Sequence, residues 1–93
     1  MPFFRASSKY SDQEFYIPKN KIKALVSKGK VSSLDSENEK EVEEVIVGAR
    51  DNAGKISLRR IDDELKRLVN KHKISEVDRE GVMGIFKTLF KAE

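Results

Sequence analysis

Cysteine is absent from the 93 residues, which rules out a disulfide framework and any cysteine-ligated metal centre. Histidine is almost absent as well. His72 stands alone, and one imidazole without clustered partners does not build a histidine-based metal site. No apolar run approaches the roughly 20 residues needed to span a bilayer. The opening "MPFFRASSKYS" lacks the apolar stretch of about 7–15 residues that marks a secretory signal. Arg5, Lys9 and the serines ahead of Asp12 give that opening a faint presequence-like composition, but the default expectation is an intracellular, cytoplasmic chain. The glycines (Gly29, Gly48, Gly54, Gly81 and Gly84) are scattered, so there is no glycine-rich phosphate loop. The carboxylates fall mostly at ion-pair spacing. The expectation is a chain with no catalytic residues, no metal and no cofactor.

What is present is charge, and its distribution says more than its sum. Apolar and charged residues each make up 38%, so a domain near the lower size limit must be economical about what it buries. The net charge of +3 hides a polarity. Residues 1–30 hold seven basic and two acidic side chains, whereas residues 31–50 hold two basic and six acidic ones. The remaining stretches, 51–70 and 71–93, each carry five basic against four acidic residues. The basic character therefore belongs to the N-terminal third.

Residues 1–18 form an aromatic N-terminal arm ahead of a single helical domain at 19–93. Phe3, Phe4, Tyr10, Phe15 and Tyr16 lie in the arm, and "EFYIP" reads as extended because the residue before a proline avoids the helical region. These aromatics either plug a small core or form an exposed docking arm.

Apolar periodicity then predicts four helices, 19–28, 37–50, 58–71 and 76–91, giving an all-α bundle. Pro18 suits the start of the first and Gly29 its end. Ser36 and Glu39 read as a capping box opening the second. Ile61, Leu65, Leu68 and Val69 stripe the third, with outward charges spaced for the pairs Arg59–Asp63, Arg60–Glu64, Asp62–Lys66 and Asp63–Arg67. Gly81 and Gly84 inside the fourth helix cost about 1 kcal/mol each relative to alanine, and close approach of another backbone is the expected compensation. The expected core is Ile22, Leu25, Val42, Val45, Ile46, Ile61, Leu65, Leu68, Val82, Ile85, Phe86 and Leu89.

The stretch "DNAGKIS", residues 51–57, has three readings. It resembles the glycine-centred part of an EF-hand calcium loop, with Gly54 at the sixth position and Ile56 at the eighth. The ligand positions fail, since Ala49, Ala53 and Arg60 fall where oxygen ligands are required and Asp51 alone offers a carboxylate. A second reading pairs Lys55-Ile56-Ser57 with the recurring Lys73-Ile74-Ser75 as a short bridge, but the alternation is too brief for proper strands. The looser Lys30-Val31-Ser32 lies at unequal spacing, so there is no tandem repeat. The third reading explains most: Ser57 caps a helix, Ile56 and Ile61 staple it, and Ser75 with Asp78 repeats the device.

Function follows less directly. Lys19, Lys21, Lys23, Lys28 and Lys30 form a cluster able to neutralise phosphates, but it contains no arginine to read a base bidentately. A helix-turn-helix through "HKIS" would put Glu76, Asp78 and Glu80 at the start of its recognition helix, where they would repel DNA. Phe86 and Phe90 could face a membrane or a partner groove, but a domain this small needs them inside. A lysine-rich segment beside a glutamate-rich helix suits a complementary protein surface better. The expectation is a non-enzymatic protein-interaction module, or a self-associating one, using Lys19, Lys21, Lys23, Lys28, Lys30, Glu41 and Glu44. Weak, sequence-nonspecific nucleic-acid binding through residues 19–30 is the alternative.

Overall fold

The computed structural model describes residues 10, 12–29 and 35–92, with the backbone alone at 28, 29, 91 and 92. Six elements follow in order: β1 (Glu14–Tyr16), α1 (Lys19–Gly29), α2 (Ser36–Ala49), β2 (Lys55–Ser57), α3 (Leu58–Asn70) and α4 (Glu76–Ala92). The expected mostly helical, four-helix architecture holds, and every helix end falls within one residue of its expected place. No helix among the described residues is long and apolar enough to cross a membrane.

The helix starts show how local the folding instructions are. Ser57 accepts a hydrogen bond from the Arg60 N–H at 3.1 Å. Ser75 and Asp78 exchange bonds of 2.9 and 3.1 Å in a reciprocal capping box. α2 differs from expectation. Its cap is Asp35, which accepts from the Asn38 N–H at 2.9 Å, and Ser36 is already the first helical residue. A carboxylate at the positive end of a helix dipole competes better for that place than a hydroxyl. The far end of α3 closes with paired bonds, Lys73 N–H to the Leu68 carbonyl and His72 N–H to Val69, both 2.9 Å. That Schellman arrangement places His72 at φ 61, a conformation usually given to glycine.

Lys55–Ser57 does form a strand, contrary to the expectation that its alternation was too brief. Its partner is the N-terminal arm rather than Lys73–Ser75, in antiparallel register with Phe15 opposite Ile56. Ile17 extends the ladder by donating to the Gly54 carbonyl at 3.0 Å. The Arg50 guanidinium, donating to the Ile17 carbonyl at 3.1 Å, ties the strand to the end of α2.

The core draws on every element. Ile17, Ile22, Val26, Val42, Ile46, Ile56, Ile61, Leu65, Val82, Met83 and Phe86 are sealed from solvent. Leu25, Val45 and Leu89, expected inside, are only partly buried against this cluster, and Ile85 is also only partly covered. Phe86 and Phe90 are buried, so neither ring is available to a membrane. Gly84 gains nothing from a neighbour, because an added Cβ would meet no atom within 4 Å. The close backbone expected there does not exist among the described residues.

Candidate functional site

The residues expected to carry function lie on α1 and α2, which pack against each other. Lys19, Lys21 and Lys23 are exposed. Helical geometry splits them: Lys19 and Lys23, four residues apart, share one side of α1, and Lys21 lies on a different flank. Lys28 belongs to α1 but its side chain is outside the described residues, and Lys30 lies outside them altogether. Ile22 and Val26 set this orientation by burying the opposite stripe. The first turn of α1 contains no acidic residue, so Lys19 and Lys21 occupy the end of the dipole that repels cations.

On α2 the glutamates surround the buried pair Val42 and Ile46. Glu44 is exposed and Glu41 partly so. Glu37 and Glu39 sit in the first turn, where the dipole favours them. Among the described residues, the six ion pairs formed involve none of the α1 lysines and none of the α2 glutamates. Among the described residues, the structure thus brings together a lysine helix and a glutamate helix with no ion pair on either.

α3 and α4 behave differently. Arg60 pairs with Glu64 at 3.1 Å and Arg67 with Glu64 at 3.9 Å. Arg59, expected to reach Asp63, instead pairs with Asp12 at 3.1 Å. Asp62, expected outward, is buried at 2% exposure. It accepts from Arg79 Nε at 2.8 Å and Nη2 at 3.1 Å, with Lys66 at 3.6 Å. The reason is tertiary. Asp62 lies at the edge of the α3 apolar stripe where α4 crosses, and a bidentate guanidinium satisfies its lone pairs there. Hydrogen bonding to Asp62, joined by Glu76, holds the Arg79 pKa further above its ordinary value.

The "DNAGKIS" loop is organised by its own carboxylate. Asp51 Oδ1 accepts from the N–H groups of Ala53 and Lys55, each at 2.9 Å. These bonds, the one from Lys55 foremost, hold the Asp51 carboxyl below its usual pKa. Gly54 follows at φ +80 with the Tyr16 ring over it. Among the described residues no group of three or more His, Cys, Asp or Glu side chains converges as a metal ion would require. A hollow of about 380 Å³ beside this loop mixes Asp12, Glu14, Asp51 and Asp63 with Lys55, Arg59 and Arg60, so both signs line it.

One feature escaped the sequence reading. Tyr16, Lys21 and Phe90 come together in a groove between β1, the start of α1 and the end of α4. The signal available was the aromatic "EFYIP": Phe15 and Ile17 pack inward, whereas Tyr16 remains 65% exposed.

Fold and surface together define a small four-helix domain with a two-stranded ribbon and a segregated, unneutralised charge pair of helices. Comparison with protein-family models, with curated proteins and with solved structures returned no match.

Proposed function

We propose that the chain is a non-enzymatic interaction module that recognises a protein partner through the charge-polarised surface of α1 and α2. One observation carries this reading: among the described residues, Lys19, Lys21 and Lys23 stay exposed and unpaired beside a helix of five unpaired glutamates. Charges left unspent in the free protein are available to steer and orient a complementary surface. Two of the lysines also sit against the α1 dipole, a placement that favours something other than helix stability. A polyanion approaching α1 would meet the glutamates of α2 alongside, which supports a protein partner over nucleic acid. The expected setting is the cytoplasm.

Affinity capture from native lysate with the full chain, with and without nuclease, tests the reading. A discrete partner that survives nuclease and is lost from the Lys19→Glu/Lys23→Glu variant is the expected result. Recovery that disappears with nuclease would transfer the function to nucleic acid bound through α1.

A further inference from the structure

The groove beyond the charged helices has a more specific chemistry than the helices themselves. It encloses about 510 Å³ and is lined by Phe15, Tyr16, Pro18, Lys21, Leu89 and Phe90. Its size and mainly apolar walls with a few polar groups are those of a ligand-holding cleft.

The walls are anchored. Phe15 and Phe90 stack with ring centroids 4.6 Å apart and a 39° tilt. Phe86 backs Phe90 edge-on at 6.3 Å, and Phe86 is sealed in the core. Tyr16 is solvent-facing yet positioned, because its ring lies so close to Gly54 that an added Cβ would come within 2.9 Å of it. An aromatic ring held in place at a wet surface loses little conformational freedom when it captures an apolar side chain.

The polar groups are of one kind. Among the described residues, Lys21 is the only charged one lining the groove, and no carboxylate lines it. Among the described residues, neither the Lys21 ammonium nor the Tyr16 hydroxyl has a hydrogen-bond or ion-pair partner. An ammonium beside an aromatic cleft calls for an acceptor, preferably anionic, next to a bulky apolar group.

We propose that this groove docks an acidic segment of a partner protein. A bulky apolar side chain enters the groove, and a neighbouring carboxylate meets Lys21. The docking rests on the protein-partner reading above and adds to it the pocket, the anchor and the sign of the partner's charge.

The probe is a synthetic peptide, acetyl-Glu-Glu-Leu-Phe-Glu-Glu-amide, titrated into the ¹⁵N-labelled full chain and followed by amide NMR. Saturable shifts at Tyr16, Lys21, Leu89 and Phe90 are expected. Affinity should fall about tenfold in Lys21→Glu and stay unchanged in Lys71→Glu, at the C-terminal cap of α3. The same peptide with lysine in place of glutamate should not bind. Shifts confined to α1 around Lys19 and Lys23 would overturn the groove while leaving the charged surface as the docking site. An absence of binding, with capture from lysate still lost in Lys19→Glu/Lys23→Glu, would do the same. Matching shifts with oligothymidylate would overturn a peptide occupant. Nuclear Overhauser contacts from Phe3 or Phe4 to Phe90 in the free chain would assign the groove to the protein's own N-terminus and overturn the proposal equally.

Discussion

α3 and α4 pair charges within each helix and across the Asp62–Arg79 contact, whereas among the described residues α1 and α2 hold theirs apart. In the first pair the bridges fall into two sets, Arg60 and Arg67 on Glu64, and Lys66, Asp62, Arg79 and Glu76 in a chain. In the second, neighbouring helices of opposite sign make no bridge among the described residues. Both halves are rich in charge, so charge content alone does not distinguish a structural face from an available one. Pairing does. A face that neutralises itself contributes stability and little long-range field, and a segregated face contributes field at some cost in stability.

The comparison breaks most readily at Arg79. Changing it to methionine leaves Asp62 buried with only the longer contact to Lys66, and unfolding in urea should show a loss of about 3 kcal/mol. Adding Asp62→Leu should recover most of it, because the paired charges are then removed together. A loss below about 1 kcal/mol for Arg79→Met would equate the pair with a surface bridge.

Asp35 gives the next largest effect. Asp35→Ala should cost about 1 kcal/mol by removing the α2 cap, with Ser36→Ala near zero. The reverse order in thermal unfolding would restore the capping box read from the sequence.

Lys19→Glu sharpens the contrast by separating stability from binding. Removing a cation from the positive end of α1 and adding an anion should stabilise the fold by about 0.5 kcal/mol, while capture of the partner weakens. Destabilisation would mean that the unpaired lysine contributes to the fold after all.

The smallest effect concerns acid. Asp51 has its folded-state pKa lowered by the N–H groups of Lys55 and Ala53. Its contribution is therefore complete above the unfolded carboxylate pKa of about 3.9 and is lost as pH falls through the lower folded value. The Asp51→Asn variant should show a shallower decline in thermal midpoint than the parent between about pH 4 and pH 2. Identical declines would show that the loop does not depend on that ionisation.

Much of this was legible locally. Ser57, Ser75 and Asp78 cap helices through bonds spanning three residues, and such contacts are written in adjacent residues. Ile22, Val42, Ile46, Ile61, Leu65 and Phe86 follow a helical period, and all are buried. The misreadings share a different feature. The β1–β2 ladder joins residues about forty apart, and three-residue strands are too short to alternate visibly. Asp62 looked like one more outward charge because only the crossing of α4 brings Arg79 to it. Tyr16 and Lys21 looked unrelated to Phe90 because their groove exists only once β1 lies beside the end of α4.

The sequence by itself determined the four helices, the caps of α3 and α4, much of the core and the polarity of charge, because each depends on spacing within a turn or two of chain. Tertiary structure alone decided which charges are spent and which remain free, where the aromatic arm folds back, and which side chains meet around the groove. Those outcomes depend on distances between residues far apart in the chain, and packing sets such distances through the shape of the whole core.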